Sequence, residues 1–309
     1  MRPYTANTSL WSLTHCHQFR SFRKYLVAPR RFRWAMQVYQ LRHISLFYPF
    51  HAESAAATLN EMRQRVDTGS VFYTPFDQKD VGLFSFLIGE DRPFALILPG
   101  GGYNDVCSLI EGYTTALEFN KLGYNAFVGN YRVGKAAHYP NPQADVAQML
   151  TFIFDHAEVW KVSKKNYAVA GFSAGGHLAA TWGLKQVGYG AYHLPKPNTL
   201  FLAYPLISLQ GGPVALRCRK LFLQEDAETE VVQRQYSVQL QVDAHYPKTF
   251  LWQCSADPLK DSALLAESLH NAGVRHEYQV YDGGAHGVGA GIGTVAEGWI
   301  AKAVTLWEE

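Results

Sequence analysis

The chain has 309 residues, of which 48% are hydrophobic, 14% aromatic and 17% charged, a balance that excludes a disordered chain and supplies a sizeable core. At about 150 residues per domain the length allows two domains, but α/β folds run to about 250 residues as one, so the domain count stays open. The net charge of +2 is too small to argue by itself for a polyanionic partner.

No apolar run reaches the about 18 residues of a spanning helix, and the Arg-studded start lacks the apolar centre of a signal peptide. A soluble, cytoplasmic protein without a transmembrane segment is the expectation. Cys16, Cys107, Cys218 and Cys254 lie far apart with no CxxC pair, which fits reduced thiols rather than a disulfide framework or a zinc site.

Residues 1–52 hold eight Lys/Arg (Arg2, Arg20, Arg23, Lys24, Arg30, Arg31, Arg33, Arg42) and no acid, leaving 20 basic against 26 acidic residues in the remainder. Such an arm suits nucleic acid, an anionic membrane or an organelle transit peptide. Trp34, Val38 and Leu41 fall at helical spacing and aromatics interleave the arginines. The plainer reading, an accessory segment 1–70 lying against the body, is therefore preferred, and no nucleic-acid partner is expected.

From residue 71 short apolar runs alternate with helical stretches, the pattern of a sheet with crossover helices. Val71–Thr74 and Val81–Ile88 are predicted as strands around the turn Asp77–Asp80, a leading hairpin. Phe94–Leu98 is a buried strand ending in Pro99-Gly-Gly-Gly102. The spacing predicts a helix over Glu111–Leu122, stopped by Gly123. Strand Tyr124–Gly129, helix Ala144–Trp160, strand Tyr167–Ala170, helix Ala174–Gln186 and strand Thr199–Tyr204 follow. Residues 206–246 break the alternation and are expected as an insertion over the sheet. Strand Thr249–Cys254, helix Ser262–Ala272, strand His276–Tyr281 and helix Ala296–Trp307 complete the body, 71–309.

The decisive segment is Tyr167-Ala-Val-Ala-Gly-Phe-Ser-Ala-Gly-Gly-His177, an apolar strand running through G-x-S-x-G into a helix. That context is the one a nucleophile elbow needs, with Ser173 in a strained turn and glycines two residues to either side letting strand and helix approach. The helix behind Ser173 directs its free N–H groups and positive dipole end at the reacting centre. A serine hydroxyl needs a base, and the base needs a carboxylate to fix its tautomer. His286 stands after the penultimate strand in Asp282-Gly-Gly-Ala-His-Gly-Val-Gly289, while His177 on the elbow helix is expected to be structural, beneath the site.

Asp257 follows strand Thr249–Cys254 by three residues and is the expected acid. Asp261 competes, but as a first-turn residue of the next helix it has a structural use, serving that helix's N–H groups. Pro99-Gly-Gly-Gly-Tyr103 offers unobstructed backbone N–H groups after a buried strand, so Gly101 and Gly102, with the N–H of Ala174, are expected to form an oxyanion hole. A phosphate loop would need a following Gly-Lys-Ser/Thr. The run Gly287–Gly293 opens no βαβ unit and is taken as loop flexibility. Without HExxH or a dense His/Asp/Glu cluster, no metal and no cofactor is expected.

The ordered set PGGGY, Glu111-Gly112, Asn130-Tyr-Arg132, GFSAGGHLA, Ser-Ala-Asp-Pro and Gly-Ala-His-Gly resembles the α/β-hydrolase superfamily, and within it the bacterial acetyl-esterase and esterase/lipase branch related to hormone-sensitive lipase, carbohydrate acetyl esterases included. The resemblance covers about residues 70–309. It implies an α/β-hydrolase fold, with a mostly parallel central sheet, helices on both faces and an insertion over the sheet. It also implies a triad of Ser173, Asp257 and His286 with oxyanion donors Gly101, Gly102 and Ala174. Related lipases begin the oxyanion loop with histidine where Pro99 stands, so their bracing of that loop does not carry over.

The function expected is a serine esterase acting on short-chain, above all acetyl, esters through an acyl-enzyme, on a small-molecule substrate with acetylated carbohydrate among the candidates. A prolyl-peptidase-like amidase and a non-catalytic binder of the same fold are the alternatives, and homo-oligomers remain open. Tyr103, Tyr204, Pro205 and Leu206 are expected at the substrate, since ligands of open α/β sheets bind beyond the strands' C-terminal ends.

Overall fold

A computed structural model of the chain describes residues 2–26, 36–69, 71–76 and 78–309. The apolar runs form strands β1 (Phe72–Tyr73), β2 (Gly82–Phe86), β3 (Arg92–Leu98), β4 (Asn125–Asn130), β5 (Val162–Phe172), β6 (Thr199–Ala203), β7 (Lys248–Cys254) and β8 (His276–Tyr281). They pair in the order β1-β2-β4-β3-β5-β6-β7-β8. The expected hairpin, β1 on β2, is antiparallel, as is β2 on β4, and every later pairing is parallel.

The described helices are α1 (Leu10–Thr14), α2 (Ala52–Thr68), α3 (Tyr113–Lys121), α4 (Asn141–Asp155), α5 (Ala157–Trp160), α6 (Ser173–Trp182), α7 (Pro213–Phe222), α8 (Glu230–Gln235), α9 (Asp261–Asn271) and α10 (Trp299–Glu308). Side chains alternate along a strand, and the sheet divides its core accordingly. In β3, Ala95 and Ile97 join one apolar cluster with α2, α3 and α10, whereas Phe94, Leu96 and Leu98 join another with α4, α6 and α9. Each fully buried large side chain, such as Trp299 or Trp182, contributes about 1.5–3 kcal/mol relative to exposure. No described helix is long and apolar enough to cross a membrane.

The N-terminal segment packs on the first face. Leu10, Leu13, Phe19, Phe22, Leu41 and Ile44 are buried there, with Phe22 edge-on to Phe84 at 5.2 Å between ring centroids. Gly82 in β2 has no Cβ for a reason: one would lie 2.6 Å from the Phe72 ring. Tyr4 and Asn60 exchange two hydrogen bonds of 2.8 and 2.9 Å, tying the start of the chain to α2.

Several local expectations change. The helical spacing of Trp34, Val38 and Leu41 does not make a helix of the described part: Val38 is exposed in a turn and Leu41 opens the 3-10 helix Leu41–Leu46. Trp34, Arg30, Arg31, Arg33 and Asp77 lie outside the described residues. The helix expected over 144–160 starts at Asn141 and breaks at His156, and that over 174–186 ends at Trp182 before Gly183. A π-helical turn, Ser108–Gly112, precedes α3, so Glu111 belongs to the turn rather than to the helix. Residues 206–246 contain α7, α8 and 3-10 turns, no strand, and bury Ile207, Leu209, Phe222 and Val238 on the second face.

Candidate active site

β5 delivers Ser173 at its C-terminal end, and α6 begins with that residue. Ser173 has φ +53°, a left-handed conformation that costs an L-residue about 1–2 kcal/mol. The two flanking glycines explain how the turn closes: a Cβ on Gly171 would lie 2.4 Å from the Gly175 carbonyl, and one on Gly175 would lie 2.1 Å from that of Leu98. Ser173 offers its own carbonyl to the Leu206 N–H at 3.0 Å.

The loops after β7 and β8 are zipped together by backbone hydrogen bonds, Ser255 N–H to the Tyr281 carbonyl at 2.8 Å and Ala256 N–H to that of Gly283 at 3.2 Å. This brings Asp257 to His286. Asp257 is fully buried; its Oδ2 stands 2.7 Å from His286 Nδ1, and its Oδ1 accepts the Leu259 N–H at 2.8 Å. Both oxygens are thus occupied, and a carboxylate accepting at Nδ1 fixes the tautomer that leaves Nε2 an acceptor. His286 Nε2 lies 2.8 Å from Ser173 Oγ. Ser173, His286 and Asp257 therefore stand in one hydrogen-bonded line.

Asp261 does not enter that line, and it does not serve α9 in the way its position suggested. Its Oδ2 accepts the N–H groups of Ile207 and Ser208, at 2.8 and 2.9 Å. Burial pushes its carboxyl pKa up, and those two N–H groups pull it partly back. Asp261 is a clamp on the start of the 206–246 insertion.

The loop after β3 is held from several sides. The Gly100 carbonyl accepts Cys107 N–H at 2.9 Å and the Gly101 carbonyl accepts Asn104 and Asp105 N–H at 3.1 and 3.2 Å. Gly101, at φ +131°, has no room for a Cβ, which would meet the Asp105 carbonyl at 2.2 Å. The Pro99 carbonyl accepts the Tyr131 hydroxyl at 2.6 Å. The N–H groups of Gly101, Gly102 and Ala174 donate to no described residue. Gly101 and Gly102 line a cleft of about 710 Å³ together with Ser173 and His286.

The four expected substrate residues stand behind this cleft, not in its lining. Tyr103, at φ +56°, turns its ring into the core and donates its hydroxyl hydrogen to His177 Nδ1 at 2.7 Å. His177 Nε2–H in turn donates to the Tyr236 carbonyl at 2.8 Å. Burial lowers the His177 pKa to about 4, so it is a neutral strut, as expected for a histidine beneath the site. Tyr204 is buried with its ring 4.8 Å from that of His286, Pro205 packs on Gly176, and Leu206 is pinned to Ser173. All four are supports because strand ends this deep face the elbow helix rather than solvent.

Three residues reach the site in roles that the sequence did not assign them. Glu111 is fully buried: it accepts the Gly100 N–H at Oε2, 2.6 Å, and the Tyr204 hydroxyl at Oε1, 2.9 Å. Burial raises its pKa, while Gly100, His286 and Tyr204 oppose the rise. Phe47 and Tyr48 of the N-terminal segment line the cleft, as do Pro213, Val214 and Arg217 of α7. No local pattern announces these roles, because the groups they meet lie well away in the chain. Among the described residues no group of three or more His, Cys, Asp or Glu could hold a metal ion.

A family model described as BD-FAE matches residues 89–191. The chain is 28% identical over 232 residues to endo-1,4-beta-xylanase B of Butyrivibrio fibrisolvens, an alignment covering 70% of this chain and 36% of that protein. It is 30% identical over 200 residues to an acetylxylan esterase of Xylanibacter ruminicola, covering 63% and 40% respectively. The chain thus spans about two fifths or less of the length of these curated relatives. The crystal structure of an acetyl ester-xyloside bifunctional hydrolase from Caldicellulosiruptor lactoaceticus superposes with a TM-score of 0.63 at 28% identity, covering 76% of this chain and 87% of that one. The sheet order, the elbow and these likenesses agree: the chain is an α/β hydrolase in fold and resembles the esterase members of that superfamily.

Proposed function

We propose that the chain is a serine esterase that removes short acyl groups, acetyl first, from small-molecule or carbohydrate alcohols. The observation that carries this reading is the line Asp257–His286–Ser173, at 2.7 and 2.8 Å, ending beside the free N–H groups of Gly101, Gly102 and Ala174. Ser173 Oγ attacks the ester carbonyl while His286 Nε2 takes its proton, and Asp257 holds the Nδ1–H of the resulting imidazolium. The carbonyl oxygen, now negative, accepts hydrogen bonds from those N–H groups, each worth about 10²–10³ in rate in comparable sites. His286 returns its proton to the departing alcohol, leaving an acyl-Ser173. Water, deprotonated by the same imidazole, then releases the acid and restores the serine.

The preference for acetyl, and for a sugar as the alcohol, is supported by the names of the relatives, an acetylxylan esterase and an acetyl ester-xyloside hydrolase among them. The half-open cleft, lined by Phe47 and Tyr48 and by α7, has room for a ring-bearing alcohol. Ser173→Ala is expected to fold normally and to lose about 10⁴-fold or more in ester turnover. Turnover of acetyl, butyryl and longer esters by wild type and variant, with a serine-directed phosphonate followed by mass spectrometry, tests the reading. Wild-type turnover by a pure Ser173→Ala preparation, or labelling at Cys107 instead of Ser173, would sink it.

A further inference from the structure

Among the buried acids outside the proton relay, Glu111 stands nearest the proposed oxyanion loop, accepting the Gly100 N–H. Glu111 sits in the π-helical turn behind the β3 loop, and its two oxygens reach in different directions. Oε2 receives the N–H of Gly100, the residue immediately before the proposed oxyanion donors. Oε1 receives the hydroxyl hydrogen of Tyr204, whose oxygen in turn accepts the Gly289 N–H at 2.9 Å. Gly289 lies three residues beyond His286, and the Tyr204 ring packs edge-on against the His286 ring. The chain Gly100–Glu111–Tyr204–Gly289 therefore joins the loop that would bind the oxyanion to the loop that carries the base.

Hydrogen-bond chemistry fixes which form of Glu111 suits this place. Gly100 N–H can only donate, and Tyr204, already accepting from Gly289, donates its own hydrogen, so both Glu111 oxygens accept. A carboxylate satisfies both partners. Fully buried, such a charge persists only where it is hydrogen-bonded and near positive charge, and the imidazolium formed at His286 supplies that charge. Glu111 itself lines the cleft.

Resting on the esterase reading above, we propose that Glu111 is a positioning residue, which as a carboxylate locks the oxyanion loop to the histidine loop through Tyr204 and sets a second negative charge, besides Asp257, facing His286. It touches neither substrate nor the transferred proton. Around His286 the titratable groups are Asp257, Tyr204, Glu111 and the Ser173 hydroxyl. Tyr48, Asp105, Cys107, Arg217 and Cys218 are the other titratable residues lining the cleft.

The test compares wild type, Glu111→Gln and Tyr204→Phe by NMR titration of the His286 imidazole, by steady-state kinetics on a short acyl ester, and by thermal melts. Glutamine has one acceptor oxygen where two are required, and no charge. Glu111→Gln is expected to titrate His286 about half a unit to one unit lower, because a neighbouring anion favours the imidazolium. It should move the acidic limb of kcat/KM down equally and lower kcat about 10- to 100-fold with KM within about threefold. Tyr204→Phe keeps the charge and cuts the tie, so kcat should fall about 5- to 20-fold with the His286 titration unmoved. A folded Glu111→Gln with an unchanged His286 titration overturns the proposal, even if kcat falls. Should Glu111→Gln not fold, wild-type kcat in Tyr204→Phe overturns it. If instead His286 shifts as expected but no ester is turned over by wild type, the esterase reading falls and the brace stands.

Discussion

Residues 36–50 and residues 206–246 both reach the cleft beside the loops that carry the proposed site, and they are attached in different ways. The insertion is tied by polar contacts to the site's own supports: Ile207 and Ser208 to Asp261, Leu206 to the Ser173 carbonyl, the Tyr236 carbonyl to His177. The N-terminal stretch arrives by apolar packing, with Leu41 and Ile44 in the core of the opposite sheet face and Phe47 half exposed at the cleft. Disturbing the first should cost the stability of the site's supports, and disturbing the second should reach only what binds beside the site.

The sharpest contrast is between two aspartates, Asp257 holding His286 and Asp261 holding the start of the insertion. Asp257→Asn is expected to lose about three to four orders of magnitude in turnover with little change in melting, because the amide favours the wrong His286 tautomer. Asp261→Asn should keep the chemistry and lose stability, about 1–2 kcal/mol, since two hydrogen bonds to a charged acceptor become neutral ones. Turnover and melts of both purified variants decide; an inactive, stable Asp261→Asn beside an active Asp257→Asn would reverse the assignment of the acid.

A smaller effect is expected on the other wall. Phe47→Ala and Tyr48→Ala should leave kcat and KM for a methyl or ethyl ester close to wild type. They should raise KM about 3- to 10-fold for an acetylated sugar, as loss of about 1 kcal/mol of ring contact would. Equal losses on both substrates would show that the N-terminal stretch acts on the reacting groups, and the distinction between the two walls would vanish.

What the sequence made legible follows the same division. The repeated βα units announce themselves by period, and Ser173 and His286 by motif, because a strand-to-helix turn and a glycine-flanked loop are local demands. Asp257 was readable because Pro258 keeps it extended just past β7. The N-terminal stretch was not, since turns and 3-10 segments such as Leu41–Leu46 carry no long period and are ordered by the sheet they cover. Glu111 stood in the sequence as part of a motif, but its role did not, for a related reason: its bond to Tyr204 spans 93 residues. Tyr103, Tyr204, Pro205 and Leu206 were placed at the substrate from strand-end position alone, and the direction of a side chain at a strand end is decided by backbone dihedrals that composition does not reveal.

Those dihedrals have a further consequence. Of the six non-glycine residues with positive φ among the described ones, Tyr103, Ser173 and Tyr204 meet at the site, so conformational strain is concentrated where the chemistry is proposed. A site built this way trades durability for reactivity. Glycine at position 173 would relieve the elbow's steric cost, by about 1–2 kcal/mol before its greater unfolded-state entropy is counted. Thermal robustness alone would therefore favour glycine at position 173, and a serine there carries a conformational cost that folding does not require.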